Sequence, residues 1–184
     1  MTAQLGRRVQ LVAESWPTLH LEASIPEWHG LAVAGLVGRP ATFDLATLTR
    51  LGAEEASVAV HCVWGWSRPD ASWTGVRLGR VLDDAGPLGS WVTVSSSSGV
   101  YSSCLPLADA ARGLLAWARD GAALDPPAGG PLRFIPPEEY WAYKGVKWAA
   151  RVRVGDRFAP GVWECRVADP LGRIPADVEL PPSR

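Results

Sequence analysis

Apolar positions fall in short runs, each soon cut by glycine or proline, and the spacing within each run sets the expected element. "LAVAGLV" (31–37), bounded by Gly30 and by Gly38-Arg39-Pro40, reads as a short buried strand. "DLATLTRLG" (44–52) offers Asp44 as an N-cap, Leu45, Leu48 and Leu51 on one face and Gly52 as a stop, which predicts a short helix. In "SVAVHCV" (57–63) strict alternation predicts a strand with Val58, Val60 and Cys62 on one face and His61 and Val63 on the other. A second helix is expected over 76–85, closed by Gly86-Pro87, and "WVTVSSSS" (91–98) reads as a strand entering a hydroxyl-rich loop. "LLAWARDGAAL" (114–124) fits helix or strand, and Asp120-Gly121 favours a hairpin. "PLRFIPP" (131–137) is a strand between prolines, while "VKWAARVRV" (146–154) and "GVWECRV" (161–167) read as closing strands. The first 25 residues carry little periodicity and read as an arm laid over the rest.

Strands outnumber helices, and the helices are short and scattered, so the expected class is α+β with mixed or antiparallel sheets. A chain of 184 residues suits one domain with a sizeable core. A net charge of -1, 47% hydrophobic residues and a mean hydropathy of +0.03 give no electrostatic case for nucleic acid or an anionic membrane. No apolar run reaches the roughly 18 residues a membrane span needs, and Arg7-Arg8 is not followed by an apolar leader core. Cys62, Cys104 and Cys165 make an odd set without CxxC spacing, so a reducing, cytoplasmic setting is expected. The 10 Trp, 16 Pro and 19 Gly suggest aromatic walls joined by turns, as around a pocket.

Three stretches carry candidate chemistry. Cys62 ends an apolar strand and is followed by Trp64 and Trp66, a soft ligand on a rigid element with indoles to exclude water. "GGPLRF" (129–134) brings backbone close to a ligand just before Arg133. "YKGVKW" (143–148) flanks Gly145 with Lys144 and Lys147, and with Arg133 it would make a phosphate cradle. No GxGxxG or GxxxxGK[ST] follows a strand, so those nucleotide loops are excluded. Taken alone, Cys62 is equally readable as a small buried hydrophobe, and the three cations as solvated strand ends. His61 reads as a structural histidine or a ligand contact, and Arg68 as an exposed loop arginine or an oxyanion contact. Trp64 and Trp66 read as core or funnel, Tyr101 as core or a hydrogen-bond donor to the reacting oxygen; Cys104 and Cys165 read as structural.

Together these stretches resemble a known family. "WHGLAVAGLVGRP" (28–40), "HCVWGWSRPDASWTGVRLGRVLD" (61–83), "GGPLRFIPPEEYWAYKGVKW" (129–148) and "PGVWE" (160–164) resemble, in order, the molybdopterin-binding oxidoreductase domain of the sulfite oxidase superfamily. Within it, the likeness is to the bacterial methionine sulfoxide reductase catalytic subunits and their small relatives. The resemblance implies that family's α+β fold, with mixed sheets and short peripheral helices, over residues 28–168. An arm (1–27) precedes it and a tail (169–184) follows. It also implies a molybdenum–molybdopterin cofactor and two-electron oxygen-atom transfer on a small S- or N-oxide, or the reverse oxidation. Cys62 then matches the catalytic thiolate bound to molybdenum, Arg133 the arginine on the cofactor, and Ser96 a hydroxyl contact. Lys144, Gly145, Val146 and Lys147 match the turn that holds the cofactor's phosphate.

Ala128 stands where relatives carry His or Asn, and the N-terminal segment that relatives lay over the cofactor is not recognisable. These departures leave a second expectation, a non-catalytic molybdopterin-binding subunit or carrier that needs a partner chain. No CxxCH, flavin motif or iron–sulfur cysteine set is present, so the electrons would pass through a separate haem, flavin or iron–sulfur protein.

Overall fold

The computed structural model describes residues 11–13, 15, 16 and 22–181; the remainder of the expected arm and the last three residues of the expected tail lie outside it. The strands are β1 (Leu11–Val12), β2 (Leu31–Gly35), β3 (Ala41–Phe43), β4 (Glu54–Ser57), β5 (Val60–Cys62), β6 (Trp66–Arg68) and β7 (Ser72–Arg77). They continue with β8 (Trp91–Ser96), β9 (Ser102–Pro106), β10 (Leu114–Arg119), β11 (Ala122–Ala123), β12 (Arg133–Ile135) and β13 (Ala149–Gly155). Short helices α1 (Leu45–Arg50), α2 (Leu78–Ala85) and α3 (Leu107–Arg112) lie between them.

One five-stranded sheet runs β3-β2-β13-β8-β9, with β2 and β13 parallel and the other pairs antiparallel. A second runs β11-β10-β7-β4, with β12 also paired to β10, and a three-stranded sheet runs β1-β6-β5. The pleat explains the patterning. In β13, Val152 and Val154 are buried and alternate with exposed Arg151 and Arg153, as on a strand with one wet face. In β10, Leu115 enters the main core, while Leu114 and Ala116 enter a second core with Trp73 and Ile135. An unbroken "LLA" is what a strand buried on both faces requires.

The caps act as expected. Asp44 accepts a hydrogen bond from the Thr47 amide at 2.7 Å and starts α1. Gly86, at φ 64°, stops α2, which buries Leu78, Val81, Leu82 and Ala85. The hairpin turn also forms: Asp120 and Gly121, at φ 52° and 79°, join β10 to β11.

Three expectations are corrected. "SVAVHCV" is not one strand: β4 stops at Ser57 on its pairing with β7, and after Val58-Ala59 the chain joins β6 in another sheet. Cys62 therefore ends a three-residue strand, and Val63 already lies in a turn. "GVWECRV" is not a strand either. Cys165 and Arg166 amides bond to Gly161 and Trp163 carbonyls in a single 3₁₀ turn over Glu164–Arg166, because Glu164 is drawn inward by an ion pair described below. The expected helix at 76–85 starts at Leu78, since Val76 and Arg77 complete β7. Strand β9 and helix α3, which have no clear alternation, were not foreseen.

Candidate cofactor pocket

One pocket gathers most of the predicted residues. Cys62, Arg133, Gly145 and Lys147 line it, with Trp64, Trp66 and Tyr101. Its empty volume is about 970 Å³ with the open mouth and adjoining solvent included.

The thiol side is built by a tight turn. After β5, the Gly65 amide bonds to the Cys62 carbonyl at 2.9 Å, and Gly65 takes φ 87°. Cys62 and Val63 thereby sit against Trp141, Tyr143 and Trp163. Burial pushes the Cys62 thiol up, opposed by a hydrogen bond from the Trp64 amide. The thiolate would therefore form only with a cation beside it. His61 points the other way, is buried, and its Nδ1 lies 2.7 Å from Ser67 Oγ, the satisfied structural arrangement.

The cationic side is built by "PPAGGP". The Arg133 Nη1 donates to the Ala128 carbonyl at 3.0 Å, and Lys147 Nζ donates to the Pro127 carbonyl at 2.8 Å, so both cations lean on one turn. A Cβ on Gly129 would stand 2.7 Å from Lys147 Cγ, and one on Gly130 would stand 1.9 Å from the Leu124 carbonyl oxygen. The two glycines are what let the lysine stem and the turn pack in contact. Next to Lys147, buried Trp148 is held at φ 50°, a conformation costing a bulky residue about 1–3 kcal/mol. Its indole N–H donates to Pro126 at 2.8 Å, which locks the turn to the lysine.

No carboxylate is within ion-pair distance of Arg133 among the described residues, and its Nε has no hydrogen-bond partner. Burial first, and neighbouring Arg119 second, bring Arg133 down to about 10. Burial, then Arg133, bring Lys147 down to about 8, with Glu22 and Asp125 opposing. A half-buried guanidinium whose sheltered Nε has no partner is the mark of an anionic ligand site. A soft sulfur donor at one end and, at the other, an Arg133 guanidinium with no carboxylate in ion-pair distance fit a molybdopterin, whose dithiolene-bound metal and phosphate have those needs.

The remaining predicted residues stand back from the pocket. Lys144 is fully buried: its ammonium is ion-paired to buried Glu164 and donates to the Cys104 carbonyl at 2.6 Å. It is a strut, with no face toward a phosphate. Val146 is in the main core, and its amide bonds to the Phe134 carbonyl at 3.0 Å; the Gly145 amide bonds to Ala142 at 3.0 Å. Those two N–H groups are therefore committed, and of the four-residue turn only Gly145 and Lys147 line the pocket. Ser96 is buried: its Oγ lies 3.0 Å from Ser98 Oγ and accepts from the Tyr101 amide at 3.2 Å, so it shapes the loop that carries Tyr101. The Tyr101 hydroxyl donates to the Tyr143 carbonyl. Arg68 is not in the lining itself: it donates to the Ala13 carbonyl at 2.9 Å and lies over Trp16, holding the arm in place. Cys104 is buried and Cys165 exposed, both outside the pocket.

Sequence reasoning missed Trp16, Glu22, Tyr143 and Trp163, which join the lining together with Val63 and Ala142. Glu22 is 7% exposed and accepts from Ser98 Oγ at 3.3 Å, an arm carboxylate brought into the site. Nothing periodic marks it. Trp163 lies in the block "PGVWE", where strand-like composition hides the turn that brings it to the pocket.

Known proteins bear on this arrangement. The model of the oxidoreductase molybdopterin-binding domain matches residues 18–163. An uncharacterized oxidoreductase of Bacillus subtilis, YuiH, is 34% identical over 165 residues, covering 84% of this chain and 81% of its own length. The protein-methionine-sulfoxide reductase catalytic subunit MsrP of Gluconobacter oxydans is 30% identical over 77% of this chain, and MsrP of Ralstonia nicotianae 29% over 77%. The chain spans about half the length of these two, 52% and 48%. The crystal structure of sulfane dehydrogenase SoxCD from Paracoccus pantotrophus superposes with a TM-score of 0.63 at 22% identity, over 74% of this chain and 40% of that one, a likeness of fold. With mixed sheets, short helices and a family match over most of its length, the chain belongs to the molybdopterin-binding oxidoreductases of the sulfite oxidase superfamily.

Proposed function

We propose that the pocket holds molybdenum–molybdopterin, with Cys62 as a metal ligand and Arg133 and Lys147 on the phosphate, and that the protein transfers an oxygen atom to or from a small S- or N-oxide. The observation that carries this reading is the pairing of a half-buried thiol with an unneutralised guanidinium across one pocket. When bound, the cofactor supplies two-electron cycling between Mo(VI) and Mo(IV). The protein does the rest. Arg133 and Lys147 fix the anionic end, Gly145 lets the wall approach closely, and the tryptophan lining keeps bulk water from the thiolate end.

Reduction of a sulfoxide breaks one S–O bond, consumes two electrons and two protons, and releases a thioether and water. The two electrons are supplied by a redox partner of the haem, flavin or iron–sulfur class. The MsrP relatives, named for protein-methionine sulfoxide, support a sulfoxide in the reductive direction.

The test is turnover by purified, molybdenum-loaded protein with a reduced viologen dye. Reoxidation of the dye by sulfoxides or N-oxides is expected. Loaded protein that reoxidises no dye across such a panel, and oxidises neither thioethers nor sulfite, would instead be a carrier.

A further inference from the structure

The pocket mouth carries a feature that cofactor binding does not use. Trp64 is 53% exposed although it is a tryptophan one residue into a tight turn, and its ring meets Trp163 edge to face, with centroids 6.1 Å apart and planes at 82°. Both line the pocket, beside Val63 and Tyr143. From Cys62 to Trp66 the turn has no charged side chain. The two lining cations lean on the turn at 126–128, and Arg68 braces the arm. The one acid of the lining, Glu22, would repel an oxyanion.

We infer that Trp64 and Trp163 form an aromatic clamp beside the Cys62 end of the pocket, which selects uncharged oxides bearing an aryl or other flat apolar arm over small oxyanions. This rests on the oxygen-transfer reading and names the substrate class for it. Large exposed aromatic surface held in a fixed geometry marks a recognition site, and an aryl ring adding a further edge-to-face contact gains affinity beyond its burial. Glu164 fixes one half of the clamp, because the residue next to Trp163 is locked into the buried ion pair, and the Cys62–Gly65 turn fixes the other.

The experiment compares binding and turnover in the molybdenum-loaded protein. By calorimetry, the non-reducible probe methyl phenyl sulfone is expected to bind about ten-fold more tightly than dimethyl sulfone. In turnover, the KM for methyl phenyl sulfoxide should be about ten-fold below that for dimethyl sulfoxide. Trp64→Ala should bring both ratios toward one, Trp163→Phe should lower them in part, and Trp64→Phe should retain most of the preference. Ratios unchanged in Trp64→Ala, or sulfite binding more tightly than the aryl sulfone, would overturn the clamp. Sulfone selectivity that follows these expectations, with no turnover of any oxide, would leave the clamp standing and remove the catalytic reading.

Discussion

Lys144→Met is expected to lower the thermal midpoint by on the order of 10 °C, and Glu164→Gln by a similar amount. Both side chains are fully buried. The Glu164 carboxylate accepts from Ser103 Oγ at 3.0 Å, the Cys104 amide at 2.9 Å and the Gly161 amide at 2.7 Å, besides the Lys144 ammonium. Taking away the cation leaves a carboxylate in the interior with neutral donors alone; taking away the anion leaves an ammonium with the carbonyls of Cys104 and Pro170. Breaking one partner of such a buried pair costs about 3–5 kcal/mol, and each kcal/mol moves the midpoint of a chain this size by about 2–4 °C. A melting curve of either variant within two or three degrees of the wild type would show the pair is not the strut described. The damage should also reach the pocket, because Tyr143 and Gly145 flank the lysine and Trp163 precedes the glutamate.

Arg133→Met is expected to separate function from stability. The guanidinium has no acid partner among the described residues and carries an unpartnered Nε, so the cofactor-free protein loses little when it is removed, and its melting point should hold or rise. A charge-assisted contact to a phosphate is worth about 1.5–3 kcal/mol, one to two decades of affinity. Pterin recovered with the purified variant should therefore fall at least about ten-fold, while far-ultraviolet circular dichroism stays the same. Normal pterin content in a folded variant would mean that Arg133 is a packing residue. A collapsed fold would mean that its hydrogen bond to Ala128 matters more than its charge.

How far the sequence foretold this depends on the kind of signal. Local signals survived: the Asp44 cap, the Gly86 stop and the Asp120-Gly121 hairpin are each set within a few residues and needed no tertiary information. The single wet face of "ARVRV" is likewise written in its alternation, whereas the unbroken "LLA" fits helix or strand until its pairing is known. Elements whose shape is decided at long range were misread. "GVWECRV" has strand composition, yet Glu164 is pulled inward by a lysine 20 residues earlier, and the chain wraps around that contact. "SVAVHCV" alternates throughout, but no periodicity states that the chain changes sheets at 58–59.

The same division holds for the pocket. Cys62, Arg133 and Lys147 were identifiable because each lies within three residues of a glycine or tryptophan in a distinctive block. Lys144 looked equivalent to Lys147, and only the three-dimensional position of Glu164 tells the buried strut from the pocket cation. Ser96 lay in a run of four serines, where sequence cannot say which hydroxyl turns inward; the structure turns Ser96 in and sets Ser98 against Glu22. Trp16 and Glu22 come from an arm without periodicity, and their place in the lining depends on how Arg68 and Ser98 hold that arm down.

The claim that Cys62 is a ligand to molybdenum in this pocket is tested most directly by X-ray absorption at the molybdenum edge, on wild type and Cys62→Ser from a host supplied with molybdate. The account predicts molybdenum in the wild type with sulfur neighbours from the dithiolene and one more from Cys62, and the loss of that one sulfur in Cys62→Ser. An identical sulfur shell in the variant, or no molybdenum edge in wild-type protein from a host that loads other molybdoenzymes, would contradict it.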